Sequence, residues 1–286
     1  MDSDALRSFG QVFDGVAEAY DATRPGYPPE LVDAALVRGG ISAGARVVEV
    51  GCGTGKLTEL LAARGLEVDA VDPGPNMIEA ARRRVGDAAH VRFHVARFED
   101  ADLPAGAYAA LFSATAFHWV EPAVGWSRAA ALLEPDGVLA LLLHCGVRDE
   151  HSDELEAEFR ATLRTYAPEV ERTLPSSRYP EELLAGAEAR RSNASAVWDW
   201  LMGEAHDLAV PEAAELFADV EVTAQVERVE HTADEIVARF RTTSLYFRID
   251  PSRRAAFEED DRRNIERRGG SLAGSRAAIL MTARRV

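Results

Sequence analysis

The sequence predicts an α/β protein built on a mostly parallel sheet with helices on both faces. Three observations carry that expectation. From residue 45 to residue 144, short apolar runs alternate with helical stretches of about ten residues, the pattern of repeated βαβ units. The first run leads into a turn holding Gly51, Gly53 and Gly55, where open α/β sheets bind ligands. After residue 144 the alternation gives way to helical sequence, and it returns from residue 214.

Taken in order, Phe9, Val12, Phe13, Val16, Ala17 and Tyr20 recur at steps of three and four, a helical face. Pro25, Pro28 and Pro29 interrupt it, because proline cannot sit in a helix interior. A second helix starts at Pro29 and stops at Gly39 and Gly40. Residues 1–40 are therefore an N-terminal helical segment. Residues 41–144 form the core, with strands at 45–50, 66–72, 91–98, 108–115 and 138–144, the last entered through a Pro135-Asp136-Gly137 turn. Helices are expected at 56–64, 76–84 and 124–134. Residues 149–166 and 180–206 read as helices, which makes 145–213 a helical cap insertion that shapes a substrate pocket. Residues 214–286 return to the core sheet. They bring a strand at 219–232, a helix over 232–247 opened by a Thr232/Glu235 capping box, a helix at 252–269 and a closing strand at 275–286.

Composition narrows the function. The chain has 286 residues and a net charge of −16, which repels nucleic acid and anionic membrane surfaces. It has no apolar run long enough to span a bilayer, and its acidic start lacks signal-peptide order. A cytoplasmic protein, monomer or homodimer, is expected, with no nucleic-acid or membrane partner. Cys52 and Cys145 have no metal or redox spacing, and no metal is expected.

The glycine turn admits three ligands. A P-loop needs one more residue before its lysine and a hydroxyl where Leu57 stands. A dinucleotide turn needs its third glycine one residue later, and Glu49 would face a pyrophosphate with like charge. The actual run, Glu49-Val50-Gly51-Cys52-Gly53-Thr54-Gly55, resembles motif I of the class I S-adenosylmethionine (SAM) dependent methyltransferases. The segment Tyr20–Pro28, "YDATRPGYP", is similar to the N-terminal lid of the methyltransferase-11 and trans-aconitate methyltransferase-like groups. This resemblance implies a Rossmann-like class I methyltransferase sheet whose last strand is antiparallel, with SAM as cofactor and S-adenosylhomocysteine as its product.

The resemblance also implies residue roles. Glu49, Gly51, Cys52 and Gly53 would cradle the amino-acid part of SAM, with Tyr20 and Arg24 on its carboxylate. Asp72, at the end of the second strand, would take the ribose hydroxyls. Pro73 and Met77 would lie beside the adenine and ribose. Arg97 stands where relatives carry an acid, so the adenine would rest on backbone near Arg97 and Phe98. Ser113 would end the fourth strand next to the cofactor. His118 would be the catalytic base, with His144 the second candidate. Tyr27, Thr115, Trp119 and Tyr246 would belong to the acceptor pocket. The implied activity is methyl transfer to a small molecule, a natural product or a carboxylate-bearing metabolite. The alternatives are a SAM-binding protein that catalyses a cyclisation or rearrangement, and an NAD-dependent oxidoreductase.

Overall fold

The computed structural model describes residues 12–204 and 207–286. The expected helical sequence before residue 12, Phe9 included, lies outside the described residues. One seven-stranded sheet organises the chain, with strands β1 Arg46–Val50, β2 Glu67–Asp72, β3 Val91–Val95, β4 Tyr108–Ala114, β5 Leu133–Val147, β6 Phe217–Thr232 and β7 Ser271–Arg285. Their spatial order is β3-β2-β1-β4-β5-β7-β6. The pairs β1–β2, β1–β4, β2–β3 and β4–β5 are parallel, while β7 runs antiparallel to both β5 and β6.

The period-two rule divides the strands between two cores. Val48, Val50, Leu111, Leu139 and Leu141 pack with Phe98 and Trp126 on one face. Val47, Ala110, Phe112, Ala140 and Leu142 pack with Leu31, Leu57, Leu61 and Ile78 on the other. Both faces are therefore covered at the centre of the sheet, and the carboxyl ends of β1, β2 and β4 converge on one edge.

The structure differs from the sequence reading past residue 144. β5 continues to Val147, because its partner β7 pairs with it from Ser275 to Arg284. The expected 232–247 helix is two helices, Ala233–Phe240 and Ser244–Arg248. The second is started afresh by Thr243, whose Oγ1 accepts the Tyr246 N–H at 3.1 Å. The Thr232/Glu235 capping box is formed. The 180–206 stretch also splits, into Pro180–Glu188 and Ala194–Leu201, with Asn193 capping the latter.

The cap draws on more sequence than 145–213. Leu163, Ala167 and Val170 of the insertion share a small core with Ile249 and Phe257, which lie between β6 and β7. Aromatic rings join the two parts: Phe159 meets Phe240 edge-on at 5.7 Å, and Phe240 stacks on Phe257 at 5.1 Å.

Candidate active site

Backbone hydrogen bonds build the turn after β1. The N–H groups of Gly51 and Cys52 both donate to the Val71 carbonyl, at 2.8 and 3.0 Å, and dock the turn against the end of β2. Gly51 takes φ 69° and Gly55 φ 82°, values that strain a residue carrying a Cβ. A Cβ on Gly51 would meet Ala116 Cβ at 2.3 Å, and one on Gly55 would meet Ala81 at 2.9 Å. The first glycine therefore lets the turn touch the loop after β4. The third lets the helix Lys56–Ala62 touch the helix Pro75–Val85. Gly53 faces open space.

Asp72 ends β2 beside this turn. Its Oδ2 accepts the Gly53 N–H at 2.9 Å and its Oδ1 the Gly74 N–H at 2.8 Å. Burial outweighs these bonds and raises its pKa to about 6. Each carboxylate oxygen keeps a further lone pair for a ligand.

A cleft of about 350 Å³ opens here. The turn and the end of β2 contribute Gly51, Gly53, Asp72 and Pro73, and the next helix contributes Met77. The segment after β3 contributes Arg97 and Phe98, the loop after β4 Thr115, His118 and Trp119, and the N-terminal segment Tyr20 and Arg24. His118 and Trp119 sit on the short helix Phe117–Trp119 with rings 4.5 Å apart. A second cavity, about 700 Å³, shares Thr115, Met202 and Thr243 with the cleft. A recess of about 70 Å³ lies behind the turn, lined by Tyr27, Glu49, Cys52 and His144 among others.

Thr115 lines all three spaces. It is a β-branched residue at φ 54°, a conformation that costs about 1–3 kcal/mol and persists only where neighbours enforce it. Its N–H donates to the Leu142 carbonyl at 2.8 Å, and its Oγ1 bonds the Tyr27 hydroxyl at 2.7 Å.

Other expected residues stand elsewhere. Glu49 is 1% exposed and accepts the Thr58 hydroxyl at 2.6 Å, so it borders the recess and not the main cleft. Burial raises its pKa to about 8. Cys52 borders the recess too, its thiol pushed up by burial. Tyr27 stacks on His144 at 4.9 Å and borders the recess, not the larger cavity. Arg24 gives its Nε to Thr242 Oγ1 at 3.2 Å and an Nη to the Thr242 carbonyl at 2.6 Å, which leaves fewer donors for a ligand.

Two placements correct the sequence reading. Ser113 is fully buried and donates to the Val50 carbonyl at 2.7 Å, because it points into the sheet between β4 and β1; Ala114 and Thr115 reach the cleft in its place. Tyr246 donates to Glu258 Oε1 at 2.6 Å and borders none of the three spaces, because the break at Thr243 turns it toward the helix Arg254–Arg267.

Sequence reasoning missed the residues that fasten the N-terminal segment. Asp14 Oδ1 accepts the N–H groups of Asn76 and Met77, at 2.8 and 3.1 Å, capping the helix Pro75–Val85. Asp21 accepts the Thr54 hydroxyl at 2.7 Å and binds Arg84 through both oxygens. Glu99, also missed, lines the cleft two residues beyond Arg97 and accepts the Glu121 N–H at 3.0 Å. No local spacing announces any of these three.

The comparisons agree with this architecture. Residues 47–137 match the family model described as a methyltransferase domain. The chain is 37% identical over 144 residues to an uncharacterized methyltransferase of Mycobacterium tuberculosis, covering 50% of this chain and 56% of that protein. It is 36% identical over 126 residues to the trans-aconitate 2-methyltransferase of Paracidovorax citrulli, covering 42% of this chain and 45% of that protein. The chain thus spans about half the length of the curated relatives it matches. A solved structure from Anaeromyxobacter dehalogenans, described as a candidate type II methyltransferase, superposes with a TM-score of 0.56 at 21% identity, covering 91% of this chain and 97% of that one; that likeness is one of fold. The glycine turn docked on β2 and the carboxylate ending β2 stand within the matched region, so residues 47–137 are similar to a methyltransferase domain, and the antiparallel seventh strand lies outside it.

Proposed function

We propose that the protein transfers a methyl group from SAM to a small-molecule acceptor, a natural product or a carboxylate-bearing metabolite, by in-line displacement. The observation that best supports this reading is the joined pair of spaces. A cleft bordered by Gly53 and Asp72 meets a larger, mostly apolar cavity at Thr115.

The residues fit the cofactor. Bound SAM supplies a methyl carbon already activated by its sulfonium. Asp72 accepts the ribose hydroxyls while Gly53 and Gly74 hold its carboxylate in place. Met77 and Phe98 flank the adenine, and Glu99 offers an acceptor that Arg97 cannot. Tyr20 and Arg24 serve the cofactor's carboxylate. Glu49 lies behind the turn, so it acts on the ammonium through its charge at a distance and not by contact, and the cation in turn favours the ionised carboxylate that burial disfavours. His118, on the cleft wall, takes the proton when the nucleophile is a hydroxyl or an amine that arrives protonated and must be freed before it attacks. The remaining task is alignment and exclusion of water.

No helix among the described residues is long and apolar enough to cross a membrane. The net charge of −16 supports a protein without nucleic-acid or membrane partners, and we read it as a cytoplasmic monomer or homodimer. The deciding experiment is parallel calorimetric titration with SAM, S-adenosylhomocysteine and NAD. Micromolar binding of the first two and none of NAD is expected. Binding of NAD alone would overturn the reading.

A further inference from the structure

The larger cavity is built from regular spacing. Ser152, Leu155 and Phe159 come from one helix, Ile236, Arg239 and Phe240 from a second, and Asp261, Asn264 and Ile265 from a third, with Arg268 just past its end. Residues at steps of three, four and seven share a helix face, so each helix turns one face to the space. The ends of β5 and β7 close it through Leu143–Val147 and Leu272. The walls are mostly apolar, which makes the charged residues informative.

Two of the arginines on this wall are paired. Arg268 binds Glu154 and Glu158, and Arg178 binds Glu204 and the Trp200 carbonyl. Arg239 is different. Among the described residues its side chain makes no ion pair and no hydrogen bond, although it is largely buried. Burial, with the nearby charges of Arg24 and Arg276, pushes its pKa down to about 10. Arg276 is already paired with Glu227, and Arg24 is held by Thr242. Glu156, a carboxylate on the same wall, is committed to Arg160 and Ser177, and Asp261 makes no ion pair with Arg239. A desolvated cation without a counter-ion is costly, and an oxyanion that fits a guanidinium fork removes that cost.

Arg239 also borders the recess behind the glycine turn. It therefore stands on the side of the cavity that meets the cofactor space, while the hydrocarbon walls extend away toward Phe159 and Ile265.

We infer that this cavity is the acceptor site and that Arg239 anchors a carboxylate carried on an apolar body. The inference rests on the methyl-transfer reading for its biological meaning, but its test does not need turnover. Octanoate and octanol share a chain and differ in the head group. They are titrated into the full-length protein with and without saturating S-adenosylhomocysteine, and into the variants Arg239→Met and Arg239→Lys. The wild type is expected to bind octanoate at least about tenfold more tightly than octanol, the increment of one charge-assisted contact. Arg239→Met should bind the two equally, Arg239→Lys should recover part of the preference, and both should bind S-adenosylhomocysteine as folded proteins do. Equal binding of acid and alcohol by the wild type would overturn the assignment, as would a preference that survives in Arg239→Met. Loss of S-adenosylhomocysteine binding in a folded Arg239→Met would overturn it as well, by giving Arg239 to the cofactor's carboxylate. A carboxylate preference that depends on Arg239 in a wild type that binds no S-adenosylhomocysteine would keep the site and sink the cofactor reading.

Discussion

At the scale of the residue, Asp72 carries the sharpest consequence. It is buried, it is braced by two backbone N–H groups, and its pKa is raised to about 6. On the proposed reading, ribose hydroxyls donate to its ionised form, so binding would pull that pKa down. Affinity for S-adenosylhomocysteine should therefore rise as pH climbs from about 5 to 7 and weaken as acid protonates Asp72. Calorimetry across that range should show the rise, and Asp72→Asn should flatten it. Asp72→Ala should weaken binding by about 1–3 kcal/mol, the usual loss for hydrogen bonds to a charged group; unchanged affinity would remove Asp72 from the site. His118→Ala makes the complementary case. Its turnover, followed with labelled methyl groups once an acceptor is in hand, should fall by about 10²–10⁴ if it is the base. Its cofactor affinity should hardly move. Full activity would end that role.

At the scale of the element, the division between legible and illegible follows the range of the cause. Helix and strand periods, proline breaks, the glycine turn and the Thr232/Glu235 cap are local, and each appears in the structure near its expected place. What escaped was set at a distance. β5 lengthens because β7 pairs with it, more than a hundred residues along the chain. The helix after Thr232 breaks because Thr243 caps a second one, although the helical pattern runs straight through. The position of Asp72 on the cleft wall was readable from its place at the end of a strand. Arg239 was not, since an arginine on an amphipathic helix reads as a solvated charge until the opposite wall is known. The glycine turn offers a test at this scale. Gly51→Ala meets both a positive φ and the Ala116 side chain, whereas Gly86→Ala has positive φ but open space. Gly86→Ala should cost about 1–3 kcal/mol in denaturant unfolding. Gly51→Ala should cost clearly more and should also lower cofactor affinity, because the loop it displaces carries Thr115 and His118. Equal costs would mean the close approach to Ala116 is unimportant.

At the scale of the whole molecule, one carboxylate ties four adjacent strands. Asp69 of β2 is 1% exposed and binds Arg46 of β1, Arg92 and His94 of β3, and the Tyr108 hydroxyl of β4. The neighbouring donors hold its pKa well below the usual carboxylate range despite its burial. A lowered pKa means the stabilisation is present above the unfolded value of about 4 and disappears as pH falls through the folded value. Asp69→Asn should therefore destabilise the fold by about 1–3 kcal/mol at neutral pH, and by little at strongly acid pH. Urea unfolding at both pH values checks it, and a pH-independent loss would contradict the network.

The fastening of the N-terminal segment has a consequence in time. Tyr20 and Arg24 border the cleft, while Asp14 and Asp21 clamp the same segment to the helix Pro75–Val85 and the glycine turn. On the proposed reading, a spent cofactor would leave only when those clamps let go. Asp21 is 35% exposed and its partners are Arg84 and Lys56, so dissolved ions weaken that clamp. On that reading, the release of S-adenosylhomocysteine should quicken as ionic strength rises, and a release rate that salt leaves unchanged would contradict it.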